Sequence, residues 1–180
     1  MMGQATKDLI NEHNSILHVL EILDKMMADQ TKAEDLKLRY YDELVYFLKI
    51  FADKCHHGKE ENYLFKELIS KGDVSVGGSV SELLQEHDLA RSYIGQMNQA
   101  LAEKSLVEFN KAAVQYRDLL RNHIDKENND LFVIADRLFD DAFQDEMFEK
   151  FEQFEEEVIG HGVHEKLHHM IHKWSEEFAG

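Results

Sequence analysis

The chain has no proline and only nine glycines in 180 residues. Little in it forces a backbone break, so long helices are expected. There is one cysteine, Cys55. A single thiol excludes an internal disulfide framework and fits a reducing, cytoplasmic setting. Basic residues are scarce: 20 Lys and Arg stand against 36 Asp and Glu, a net charge of −16. That balance argues against nucleic acid and anionic membrane as partners. No apolar run approaches the roughly 20 residues of a membrane span, and the opening MMGQATKDLI has no apolar signal region. Hydrophobic residues make up 43 % of the chain, enough for a sizeable core and too many for a disordered one. Histidine is abundant, with 11 residues.

Apolar residues recur in steps of three and four, so they face one side of each helix. The first stripe reads Ile10, His13, Leu17, Leu20, Leu23, Met27. The second is Tyr41, Val45, Leu48, Ala52, His56, Glu60, Leu64; the third is Val80, Leu84, His87, Ala90, Ile94, Met97, Leu101. The fourth runs from Phe109 through Ala113, Tyr116, Leu120, His123, Glu127 and Leu131 to Leu138. Thr31-x-x-Glu34, Ser79-x-x-Glu82 and Ser105-x-x-Glu108 read as capping boxes at helix starts. The stretch from Lys71 to Ser79 reads as the one clear loop. No strand-like alternation competes, so the expected fold is all-α: an up-down-up-down four-helix bundle over residues 1–140.

Residues 141–180 read as a helical appendage packed on that bundle. They hold 11 acidic and 3 basic residues, a net of −8, and five of the histidines. A fifth helix is expected to turn Phe143, Met147, Phe151, Phe154 and Val158 inward. Gly160 and Gly162 end it, and a short sixth helix carries Trp174.

All four stripes carry polar residues where the core should be: His13, His56 with Glu60, His87, and His123 with Glu127. Burying such groups costs several kcal/mol unless they are paired or bind metal. His and Glu four apart share a helical face, one turn apart. Four imidazoles and two carboxylates directed inward suit two divalent cations with bridging carboxylates, most naturally iron. The bland alternative is a buried salt network, and it requires a separate reason for a core His on each of four helices. Depth agrees with a shared site. The midpoint of 87 and 123 is Ser105, that of 56 and 87 falls beside Gly72, and that of 13 and 56 falls in the polar stretch 29–35.

There is also an internal repeat. His56-His-Gly-Lys-Glu60-Glu-Asn-Tyr-Leu-Phe65 aligns without gaps to His123-Ile-Asp-Lys-Glu127-Asn-Asn-Asp-Leu-Phe132, and Glu12-His13 repeats as Glu86-His87. Two helical hairpins each supply one His and then one His-x-x-x-Glu. This ordered pattern, over about residues 10–140, resembles the hemerythrin-like, or HHE cation-binding, family. The resemblance implies a centre of two non-haem Fe ions in a four-helix bundle. It implies binding or sensing of a small diatomic ligand, oxygen or nitric oxide. Turnover of peroxide or nitric oxide, or iron supply for iron–sulfur repair, is the alternative. A third class, a purely structural metal, would have saturated ligands. One departure stands out. Oxygen carriers of the family have a second His one turn beyond the third helix's ligand, where this chain has Arg91. A fifth imidazole must come from elsewhere, His57 beside His56 or the tail being the candidates, or one iron is ligated differently.

Other residues read more plainly. Glu61 aligns with Asn128 and has a weaker claim than Glu60; Cys55, Tyr41 and Tyr116 read as packed core, and Arg91 as a salt-bridge partner. His164-Glu-Lys-Leu-His168 fits the HExxH expression of zinc proteases, but lies too near the end of the sequence to leave scaffold for a cleft. It contains one Glu-x-x-His, Glu165 to His168, where ferritin-like bundles need two. His161, His164, His168 and His172 share a helical face just after Glu155–Glu157. They read as a solvated helix end, with a bound cation as the alternative.

Overall fold

The computed structural model describes residues 1–179, which form six helices and no strand. Helix α1 spans Gln4–Ala28, α2 spans 34–71, α3 spans Val74–Ala102 and α4 spans 106–138. Two tail helices follow, α5 over 141–159 and α6 over Val163–Glu177. No described helix is long and apolar enough to cross a membrane.

The breaks between helices follow local chemistry. Ser105 caps α4 as its box predicts, its hydroxyl accepting from the Glu108 amide at 3.3 Å. The Ser79 box does not start a helix. Asp73 caps α3 instead, its carboxylate accepting from the Val76 amide at 3.1 Å, so the expected loop over 71–79 shrinks to Gly72 and Asp73. A carboxylate is a strong N-cap, and capping at Asp73 draws Gly77 and Gly78 into the helix despite their low propensity. Ser79 then bonds back to the Ser75 carbonyl at 3.2 Å. The Thr31 box also fails. Ala33 precedes α2, and Asp29 folds the turn by accepting from the Thr31 and Lys32 amides. Gly160 (φ 107°) and Gly162 (φ 74°) supply the left-handed backbone between α5 and α6, where the tail was expected to break.

The bundle buries two apolar clusters, one toward each end. One holds Ile16 to Met26 of α1, Leu44 to Ala52 of α2, Ala90 to Met97 of α3 and Phe109 to Leu120 of α4. The other holds Ala5 and Leu9, Leu64 to Leu68, Val80 and Leu83, and Leu131 to Ala135. Between them lies a polar layer. His13 falls between Leu9 and Ile16, His56 to Glu60 between Ala52 and Leu64, and His87 between Leu83 and Ala90. His123 and Glu127 fall between Leu120 and Leu131.

Tyr41 and Tyr116 are buried in the first cluster, as expected of them. On α1 the inward face is centred on Leu9, His13, Ile16, Leu20 and Leu23, so Ile10, Leu17 and Met27 lie at its margin. Tail residues complete both clusters: Met147 and Phe151 join one, and Leu167, Ile171 and Trp174 the other. Phe143 and Phe154 are partly buried, but Val158, expected inward, is 39 % exposed. Hydrogen bonding over Glu155–Ile159 widens to the π pattern, which rotates the α5 face away from its 3.6-residue phase.

Candidate metal centre

The polar layer is built where helices widen. In α2 the π pattern runs over Leu48–His57 and again over Glu60–Leu64; in α4 it runs over Glu127–Leu131. A π turn advances more slowly around the axis, so consecutive residues can share a face. Cys55, His56 and His57 are all buried in succession, with Lys59 and Glu60 behind them. The sequence repeat is thus a structural repeat, since the same turn opens at Glu60 and at Glu127. Phe65 and Phe132, at equivalent positions, stack on His87 and His13 with ring centroids 5.6 and 5.3 Å apart.

His13, His56, His87, His123, Glu60 and Glu127 converge, and all are buried. They form two overlapping groups, each with ligand atoms within 4.8 Å of one another. One holds His13, His56, Glu60 and Glu127; the other holds His57, His87, His123 and Glu60. The two carboxylates span both groups. Glu60 Oε1 lies 3.0 Å from His56 Nε2, while its Oε2 lies 3.3 Å from His87 Nε2. Glu127 Oε2 lies 3.0 Å from His13 Nε2, and its Oε1 lies 3.3 Å from His123 Nε2.

His57 is the fifth imidazole that these groups bring together. It stacks on His87 with centroids 3.8 Å apart and planes 15° from parallel. The tail histidines stay away. His164 packs on Phe51, centroids 5.5 Å apart, and His161 pairs with Glu156 on the surface. Among the described residues, no tail histidine joins a group able to hold a metal.

Every one of the five rings is gripped at Nδ1. Glu12 lies 3.2 Å from His56 Nδ1, Glu86 2.7 Å from His123 Nδ1 and Glu61 2.8 Å from His87 Nδ1. Asn128 lies 2.7 Å from His13 Nδ1 and Asp53 3.3 Å from His57 Nδ1. An acceptor at Nδ1 puts the proton there and turns the Nε2 lone pair inward. Glu61 therefore orients a ring, which fits its weaker claim to a metal. These partners were not singled out from the sequence. The paired Glu12-His13 and Glu86-His87 carried a signal, because each Glu holds the histidine of a neighbouring helix rather than its own.

This arrangement fits cations. His13, His56 and His57 Nε2 and all four carboxylate oxygens of Glu60 and Glu127 are buried without a hydrogen-bond partner. Each such orphan costs about 1–3 kcal/mol. The short His–Glu contacts lack hydrogen-bond geometry. His87 and His123 bring Nε2 to Nε2 at 3.1 Å. With both Nδ1 atoms protonated, two lone pairs would oppose each other there unless a cation or proton lies between them.

Electrostatics agree. Burial pulls His56 and His123 down, but Glu60 and Glu127 respectively push them up to about 10, so protons compete for these sites. His57 is driven well below its ordinary value by burial and by the His87, His56 and His123 imidazoles. Burial and Glu127 push Glu60 up, yet His56 and His87 hold it below the usual carboxylate range. Arg91 bonds Asp53 at 2.9 Å and Glu61 at 2.7 Å, a salt bridge as expected of it. Cys55 is a buried free thiol, raised by burial and by Glu12.

Comparison with curated proteins finds no match, nor does comparison with solved structures. A family model described as the Hemerythrin HHE cation binding domain matches residues 4–135, which takes in the first three bundle helices, most of the fourth and every residue of the polar layer. The chain belongs to the hemerythrin HHE cation-binding domain family.

Proposed function

We propose that the polar layer holds two iron ions, and that the protein binds or senses a small diatomic ligand, oxygen or nitric oxide, there. The observation that carries this reading is the unequal division of imidazoles between two groups that share Glu60, with Glu127 of the first reaching His123 of the second. His57, His87 and His123 would hold one ion and His13 and His56 the other, with Glu60 and Glu127 within reach of both. The ion with fewer imidazoles would have room for a small ligand. A nitrogen and oxygen donor set of this kind suits iron. The bound pair would supply electrons and an open position; the chain supplies enclosure and orientation. Phe132 against His13 keeps that end apolar.

The alternative, an enzyme turning over peroxide or nitric oxide or supplying iron for cluster repair, needs a proton donor facing the open position. The carboxylates Glu12, Glu61, Glu86 and Asp53 all touch the rings at Nδ1, behind the Nε2 atoms. That placement favours binding over turnover. We read residues 1–140 as the bundle carrying the site, 141–180 as its appendage, and the cytoplasm as the compartment. Metal analysis with absorption spectra before and after reduction tests the function. Two irons per chain, with a spectrum lost on reduction and restored by oxygen or altered by nitric oxide, is expected. One zinc per chain overturns the reading.

A further inference from the structure

The internal repeat relates the contacts as well as the residues. Glu12 grips His56 and Lys59 as Glu86 grips His123 and Lys126. The correspondence fails at one corner. Asp53, His57 and Arg91 stand where the other hairpin has Leu120, Ile124 and Leu17. These three polar residues form one chain: Arg91 Nε lies 2.9 Å from Asp53 Oδ1, which lies 3.3 Å from His57 Nδ1.

That corner opens onto a cleft of about 670 Å³ between α2, α3 and α5. Ile50, Ile94 and Phe154 give it apolar walls, and Lys49, Lys54 and Arg91 give it cations. Asp53 is the one carboxylate among the lining residues, and it is already committed to Arg91 and His57. Two mid-helix glycines shape it. A Cβ on Gly58 would meet the Phe154 ring at 2.8 Å, so this glycine seats the ring from α5. A Cβ on Gly95 would meet nothing within 4 Å, so a helix-weakening residue there faces the open cleft.

We propose that this cleft binds a small amphipathic organic anion. Its flat apolar body lies between Ile50, Ile94 and Phe154, and its acid group lies against Arg91 and the two lysines. A chain of net charge −16 repels anions over most of its surface. Here three cations face an apolar slot whose only carboxylate is paired. An acid group on Arg91 competes with Asp53 and Glu61, which orient His57 and His87, so occupancy is felt in the polar layer. That second step rests on His57 and His87 as metal ligands; binding in the cleft does not.

Anilinonaphthalene sulfonate, a flat aromatic anion, is the probe. Saturable one-to-one fluorescence enhancement is expected with the intact chain. Gly95→Phe fills the slot and weakens binding about tenfold or more, with helicity by circular dichroism unchanged. Asn98→Trp serves the same purpose if that variant fails to fold. Lys49→Glu with Lys54→Glu weakens the sulfonate about fivefold but leaves the neutral N-phenylnaphthylamine unaffected. Lys111→Glu, exposed on α4, changes neither. No saturable binding, or binding that survives both filling variants, overturns the site. Saturation without any change in the absorption of metal-loaded protein overturns the coupling through Arg91. A chain that binds the probe but takes up no metal overturns the metal reading and leaves the cleft standing.

Discussion

His57 lies flat on His87, ring centroids 3.8 Å apart, at a position where the other hairpin carries Ile124. The repeat makes a nearly two-fold symmetric site of four imidazoles and two carboxylates, and this one residue makes it unequal. His57→Ile restores the symmetry with a side chain already tolerated at the equivalent buried position. The folded variant is expected to lose a fraction of its metal and to change its absorption spectrum. Metal content and spectrum identical to the parent would show that His57 is only a packing neighbour.

Glu60→Ala and Glu127→Ala should each cost more metal than Glu61→Ala. The first two carboxylates have orphaned buried oxygens facing four Nε2 atoms, whereas Glu61 touches His87 at Nδ1 and is held by Arg91. Metal content after purification decides it. Equal loss from Glu61→Ala would mean that orientation of His87 matters as much as direct coordination.

The Glu12–His56 pair predicts a pH window for the metal-free chain. Burial raises Glu12, but His56 and Lys59 outweigh it and hold the carboxyl at about 2, below its ordinary 4.5. A depressed carboxyl stabilises fully above 4.5, and that stabilisation is lost as pH falls toward about 2. His56, raised from 6.5 to about 10, gives a contribution fully present below 6.5 and lost as pH rises through about 10. Glu60 contributes most to the rise of His56 and Lys59 shares in the fall of Glu12, so the Glu12–His56 contact is one component of a plateau between 4.5 and 6.5. Thermal melts of metal-free parent and Glu12→Gln should differ most on that plateau and converge as pH falls toward about 2, where Glu12 takes up a proton; above about 10 a smaller difference persists, because Glu12 still pairs with Lys59. A constant offset at every pH would refute the assignment.

Lys59 is the buried cation that joins the tail to the bundle. Its ammonium lies 3.1 Å from Asp8, 3.1 Å from Glu12 and 3.0 Å from Glu155. Lys59→Met leaves three carboxylates facing one another around an apolar group. Removing one partner of a buried ionic network costs about 3–5 kcal/mol. A clear fall in melting temperature is expected, and it should be partly recovered by adding Glu155→Gln. An unchanged melting temperature would show that water compensates the carboxylates.

The tail should act on stability and not on metal content. Trp174 is fully buried and its indole donates to Glu43 at 3.0 Å, so Trp174→Ala should cost about 3–5 kcal/mol. Substituting His161, His164, His168, His169 and His172 together by Ala should leave iron and spectrum unchanged. Loss of one iron from a folded variant of that kind would bring the tail into the site.

The sequence by itself determined the bundle and most of the site. Apolar spacing set four inward faces, and the cost of burying His13, His56, His87, His123, Glu60 and Glu127 required a shared polar layer. Equal distances from the turns set its depth, and Ser105 marked one helix start. These are local properties, written in steps of three and four residues along one helix at a time.

Tertiary structure decided the rest. Asp73 rather than Ser79 starts α3, because competing caps differ by a margin that only the packed helix settles. His57 joins the layer because π turns widen α2, a change of phase that 3.6-residue counting cannot register. Glu12, Glu61, Glu86 and Asn128 orient rings on other helices, 44, 26, 37 and 115 positions away in the chain, and Asp53 orients one on its own helix, 4 positions away. All but the Asp53 contact depend on how helices face each other. Spacing within one helix places a side chain on a face; the neighbouring helix decides which atom of it is held and which is left to bind.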